Sequence, residues 1–242
     1  MKYKFVSYEK DIFHFFFNNE KYKKAITFNP IYNECSYDEI KLLIFSQIPN
    51  ITKVDILELL ELCVLYRFWS PRIEGDDIMI RTYYIDKLDD DLDINLPKLS
   101  YIGEYINIIG QLFLAGYIDF GSYCDEDVNK IDYPTNLSYY KEDKYQTWIY
   151  FRDNFFYKNK FVRYLDEMDI CDEQEQYLLF EDTSWDTPRY WSQYNIWVAQ
   201  TPKGTKYFDK ILAPRFYDKY KDLSVEIDDK GNVIKWIGEI NR

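Results

Sequence analysis

A chain of 242 residues that is 47% hydrophobic and 30% charged has the composition of a folded globular protein, long enough for one domain or two small ones, and not that of a disordered tail. A formal charge of −12 sets it against nucleic acid and anionic membrane, which carry the same sign, and favours a basic protein as partner. One histidine and four dispersed cysteines without a C-x-x-C pair build neither a transition-metal shell nor a disulfide framework, so no metal and no cofactor are expected.

Residues 1–32 mix Tyr, Phe and Lys with partial alternation, which predicts one or two strands. The single histidine, His14, stands in the run Phe13 to Phe17 and is expected as a packed or half-exposed structural residue. Ser36-Tyr37-Asp38-Glu39 has capping-box spacing ahead of Ile40, Leu43 and Ile44, predicting a helix over 37–48 that stops near Pro49. A second helix starts after Thr52. Ile56, Leu57, Leu60, Cys63 and Val64 form its apolar stripe, with Asp55, Glu58 and Glu61 on the other face, and the two helices are expected to pair as an αα hairpin.

The acidic stretch from Asp86 to Pro97 reads as a boundary between an N-terminal α+β part, residues 1–95, and a mixed α/β part, residues 96–242. Asp89, Asp91 and Asp93 alternate as in a calcium loop, but Ile94 replaces the glycine of its turn and Ser100 its final carboxylate, so a solvated loop is expected. After Ser100, the residues Ile102, Tyr105, Ile106, Ile109, Leu112 and Phe113 fall at helical spacing before Gly116, and residues 117–123 follow as a strand. Residues 145–151 read as a buried strand and 160–168 as helical.

From Tyr164 to Asp186 there are nine acidic residues and no Lys or Arg, whereas Thr187 to Leu223 carries seven basic and three acidic residues. At the end, residues 224–228 and 233–240 flank Asp229-Lys230-Gly231-Asn232, a hairpin signal. The fold class is therefore α+β: N-terminal strands, a helical hairpin, a mixed part and a C-terminal β-hairpin. No secretory signal and no apolar run of about 20 residues is evident, which favours a cytoplasmic chain with free thiols.

Ile106-Asn107-Ile108-Ile109-Gly110-Gln111-Leu112-Phe113-Leu114-Ala115-Gly116-Tyr117-Ile118 resembles the recognition-helix end and turn into the wing of winged-helix regulators. Trp197-Val198-Ala199-Gln200-Thr201-Pro202-Lys203-Gly204 resembles the strand leaving the wing and the helix start of the same family. The resemblance covers about 20 residues, in two pieces some 80 residues apart where that family has a short wing. It implies winged-helix-like elements. A nucleic-acid-binding face on Lys203, Lys206, Lys210 and Arg215 would follow, with Phe208, Ile211 and Leu212 on the opposite, apolar side.

The chain has no P-loop, dinucleotide, zincin or nucleophile-elbow motif. The leading expectation is a non-catalytic acidic protein that binds and inhibits a basic protein, as toxin-immunity proteins do. Its binding residues are expected in the acidic segment: Asp166, Glu167, Asp169, Asp172, Glu173 and Glu175 for charge, Tyr177 and Trp185 as anchors. The alternative is a winged-helix-like regulator of nucleic acid. A third is a carboxylate-dependent enzyme, recognisable by two acids facing each other across a pocket.

Overall fold

The computed structural model describes residues 1–9, 12–27, 29, 37–67, 73–74, 102–122, 131–157, 183–188, 191 and 196–242. The fold is mixed α+β, with small antiparallel sheets among helices. The chain divides into two compact units, each drawn from discontinuous segments. The expected boundary near residue 95, and the helix expected at 160–168, lie outside the described residues.

The first unit takes in the described residues of Met1–Leu62 and Phe208–Arg242. Its N-terminal strand β1 (Lys2–Lys4) runs antiparallel to β7 (Ser224–Ile227), which also pairs with β8 (Val233–Ile237). A separate hairpin joins β2 (Val6–Glu9) to β3 (Ile12–Phe15), where His14 is half-exposed. Between β1 and β2 sits Phe5, fully buried, with seven aromatic ring centroids at 5.6–6.4 Å. The rings come from Phe15, Phe16, Phe17, Phe45, Phe216, Tyr220 and Trp236, mostly in edge-on or tilted contact, the arrangement the ring quadrupole favours. Much of the aromatic excess is therefore core.

Three helices of the N-terminal part follow: α1 (Glu20–Thr27), absent from the sequence reading, then α2 (Tyr37–Phe45) and α3 (Lys53–Arg67), where two were expected. Leu60 is fully buried, as its place in the stripe predicts. Asp55 departs from expectation: it is buried, not on a solvated face. Thr52 and Asp55 form a capping box, the Thr52 N–H and hydroxyl donating to Asp55 Oδ2 at 2.7 and 2.6 Å. The carboxylate also accepts from Lys219 Nζ at 2.6 Å, Arg242 Nη2 at 3.0 Å and the Tyr220 hydroxyl at 3.2 Å. Burial alone would raise its pKa, but these donors outweigh burial and hold the carboxyl well below the ordinary range. Glu58 takes Lys219 at 2.7 Å and Arg215 at 2.8 Å, and Glu61 takes Arg215 at 3.6 Å, so the acidic face of α3 is a paired one.

The second unit takes in the described residues of Cys63–Arg81 and Ile102–Tyr207. Helix α4 (Ile102–Leu114) buries Tyr105, Ile106, Ile109, Leu112 and Phe113, the stripe read from the sequence. It ends in a Schellman turn: Gly116, at φ 72°, donates to Phe113 O, and Tyr117 N donates to Leu112 O at 2.8 Å. Strand β5 (Ile118–Ser122) pairs with β6 (Ile196–Gln200), whose other edge takes β4 (Ile73–Glu74), giving the order β4-β6-β5. Both β5 and β6 are buried along their whole length.

Residues 145–151, expected as a strand, lie in helix α5 (Lys144–Phe151). Asp143 decides it: its carboxylate accepts the N–H groups of Tyr145 at 2.9 Å and Gln146 at 3.1 Å, an N-cap that outweighs the β-propensity of the run Thr147 to Phe151. Thr147, Trp148 and Phe151 then share one helical face, and Phe155 continues it through a wider turn at Arg152–Tyr157. Trp148 lies against Gly110 of α4, where an added Cβ would come within 2.4 Å of the indole.

Helix α6 (Pro202–Tyr207) opens on Thr201, whose hydroxyl accepts from Gly204 N at 3.1 Å. In the first unit a π-type turn at Phe208–Leu212 precedes α7 (Ala213–Tyr220). The wider turn breaks the 3.6-residue period, so Phe208 and Leu212 are buried but Ile211 is 52% exposed, contrary to its expected place on the apolar side. The terminal hairpin forms as predicted, its turn held by Asp228 accepting from Lys230 N and Asn232 N at 2.8 Å each.

Candidate functional site

In the second unit a buried carboxylate fixes an irregular segment to the sheet. Asp119 of β5 is 3% exposed and accepts Phe120 N at 2.8 Å, Ser138 N at 3.2 Å and the Ser138 hydroxyl. No cation among the described residues is in direct contact, and burial prevails over these dipoles and over the field of Lys144, raising the carboxyl to about 6. One turn earlier, buried Asn136 accepts Tyr133 N through its side chain at 2.7 Å. The pinned segment in turn holds Trp185, whose indole N–H donates to Thr135 O at 2.8 Å.

Trp185 belongs to a chain of rings. Its centroid lies 5.7 Å from Trp191, Trp191 lies 5.7 Å from Tyr150, and Tyr150 stacks on Tyr140 at 5.9 Å. Beneath them Phe151 contacts Trp185 at 6.1 Å and Trp191 at 5.4 Å. Acids edge the cluster. The Tyr140 hydroxyl donates to Asp186 at 2.5 Å and the Tyr139 hydroxyl to Asp132 at 2.6 Å; Asp132 itself adopts a left-handed conformation at φ 60°. Burial followed by the Asp186 contact raises the Tyr140 pKa, and the hydrogen bond to Asp132 raises that of Tyr139, so both phenols remain donors. Tyr139 and Tyr145 are more than half exposed, Glu142 and Asp143 are exposed, and Trp185 is half-buried. The arrangement combines rigid amphipathic anchors with carboxylates, which suits binding of a cationic surface.

Of the residues expected at an interface, Asp166, Glu167, Asp169, Asp172, Glu173, Glu175 and Tyr177 lie outside the described residues, and Trp185 is within this cluster. Of the cationic set, Lys203 gives its ammonium to Ala115 O at 2.7 Å, Arg215 pairs with Glu58, and Lys206 and Lys210 are exposed. A cleft of about 320 Å³ in the first unit, lined by Pro49, Asn50, Leu223, Gly238, Glu239, Ile240 and Arg242, contains one carboxylate. Among the described residues no three or more His, Cys, Asp or Glu side chains gather as a metal shell, and no helix is long and apolar enough to cross a membrane.

Tyr139, Tyr140, Tyr150 and Trp191 were not singled out in the sequence. Reading Asp143 as a helix cap would have found part of the set, since it turns Tyr150 onto a different face from Trp148 and Phe151. Comparison with protein-family models, with curated proteins and with solved structures finds no match for this chain.

Proposed function

We propose that this chain is a non-catalytic cytoplasmic binding protein that docks a basic protein on the acid-edged aromatic surface around Trp185 and so blocks the partner's own cationic site. The observation that supports this is the contiguous set Trp185, Trp191, Tyr150 and Tyr140, partly open to solvent and bordered by Asp186, with Asp132 held by the neighbouring Tyr139. Large rings supply contact area at little entropy cost, while edge charges raise the encounter rate with a partner of opposite sign. The acids from Asp166 to Glu175 precede Trp185 in the chain and add charge of the same sign. Capture from the native host tests the reading with the native chain beside Trp185→Ala. A basic protein held by the native chain and lost by the variant, at unchanged circular dichroism, is the expected result. Neutralising the six acids from Asp166 to Glu175 should then slow association and flatten its salt dependence. Equal retention by both chains, or an acidic partner, refutes it.

A second reading, nucleic-acid binding on a winged-helix-like module, draws support from the meeting of segments 106–118 and 197–204. They meet where β5 begins its pairing with β6, Ile118 facing Gln200, and Thr201 donates from its N–H to Tyr117 O at 3.0 Å and from its hydroxyl to Gly116 O at 2.7 Å. Against it, the exposed face of α4 presents Gly103, Asn107 and Gln111, and the helix carries Glu104 and no Lys or Arg. Phosphate binding needs cations at that face. An electrophoretic shift with duplex DNA at low salt decides between the two: the first reading expects unchanged mobility.

A further inference from the structure

The pair Tyr140 and Tyr150 already holds a cation. Lys141 Nζ lies 4.2 Å from the centroid of Tyr150 and 4.9 Å from that of Tyr140, both inside the roughly 6 Å over which a ring face attracts an ammonium. The two rings are inclined by 29° with centroids 5.9 Å apart, so one ammonium contacts both. Tyr140 donates its phenolic hydrogen to the Asp186 carboxylate at 2.5 Å, which moves electron density onto its ring and deepens the attraction for a cation. Lys141 is exposed and adjacent in sequence to Tyr140, so it returns to the slot readily and leaves it cheaply.

We infer that the Tyr140–Tyr150 slot is a recognition site for a lysine or arginine side chain of a basic protein, and that Lys141 is a resident surrogate which this side chain displaces. The inference rests on the proposed function and assigns its contact point. Charge complementarity names the occupant: two ring faces with a carboxylate behind one of them fit a cation, and a cation occupies them. An incoming side chain must evict Lys141, so the free chain binds more weakly than the slot itself would. Lys141 thereby discriminates against stray cations, since only a partner with further contacts to the Trp185 surface recovers the cost.

The test measures binding of a labelled basic octapeptide of alternating Arg and Gly by fluorescence anisotropy at fixed ionic strength. Four chains are compared: native, Lys141→Gln, Lys230→Gln and Lys141→Gln combined with Tyr150→Leu. Lys230 is an exposed residue of the terminal hairpin, and its change alters net charge equally without touching the slot. Lys141→Gln should bind about two- to fivefold tighter than Lys230→Gln, the range of an exposed cation–π contact, and the added Tyr150→Leu should cancel the gain. Equal affinity of the two single variants, with the native chain binding, overturns the surrogate role and leaves the proposed function standing. A gain that survives Tyr150→Leu overturns the slot. Absence of binding by all four chains overturns both.

Discussion

Asp55 in the first unit and Asp119 in the second are both buried aspartates, yet their environments oppose each other. Asp55 receives two cations, a capping threonine and a phenol, and its carboxyl is held below the ordinary range despite burial. Asp119 receives two backbone N–H groups and one hydroxyl, and burial lifts it to about 6. A buried charge met by opposite charge in direct contact locks a structure, whereas one met by dipoles and only the field of a lysine leaves a group whose proton affinity burial raises. The lock sits in an aromatic core, and the titratable pin sits behind the candidate binding surface.

The sharpest way to break this contrast is Asp55→Ala. It leaves Lys219 with Glu58 alone and the buried Tyr220 hydroxyl without its acceptor, and removing one member of a buried ion pair costs about 3–5 kcal/mol. Denaturant unfolding of the variant should show a loss of that size. Because the folded value is depressed, the contribution of Asp55 is present above its unfolded value near 3.8 and is lost as pH falls below it.

Asp119 should behave in the opposite sense. Its folded value of about 6 exceeds the ordinary 3.8, so the folded chain binds the extra proton between these limits, and this group's contribution to stability rises as pH falls from 6 towards 4. Relative to Asp119→Asn, the native chain should lose up to roughly 3 kcal/mol between pH 4 and pH 7. Paired unfolding curves at the two pH values check it; parallel pH dependence of the two chains would refute it.

Smaller effects sharpen the comparison at the surface. Tyr140→Phe removes a half-exposed hydroxyl bonded to Asp186 and to Tyr150 and should cost about 1 kcal/mol in thermal or denaturant unfolding. Arg215→Ala breaks pairs with Glu58 and Glu61 whose cation is half exposed, and the loss should stay below about 1 kcal/mol and shrink in high salt. A loss from Arg215→Ala as large as that from Asp55→Ala would mean that the whole network, and not its buried carboxylate, is the lock.

Local signals were legible in the sequence. The stripe of α4, its glycine stop, the strand after it and the terminal hairpin each depend on neighbours within about one to three turns, which is the range a pattern reports. Asp55 was misjudged because its partners Lys219, Tyr220 and Arg242 are more than 160 residues away in sequence. Residues 145–151 were misread because a continuous apolar run has no period of its own, and the cap at Asp143 that settles the matter precedes it. Of the binding surface, Trp185 was legible as an aromatic in an acidic stretch. Tyr140 and Tyr150 join it only through space, 45 and 35 residues away in sequence, and Trp191, six residues on, bridges them to it.

The register of β1 with β7 sets an order of events during synthesis. Lys2 faces Glu226, so the ribosome delivers one edge of this ladder about 220 residues before the other. Until Ser224–Ile227 emerges, the first strand has no native partner, and Phe5 lacks the rings of Phe216, Tyr220 and Trp236. Until then the nascent first unit carries unsatisfied backbone and bare aromatic surface, the state in which chains are most prone to associate wrongly. Chains stalled before residue 224 should be the chaperone-dependent ones, and emergence of Ser224–Ile227 and Val233–Ile237 should close the unit in one cooperative step.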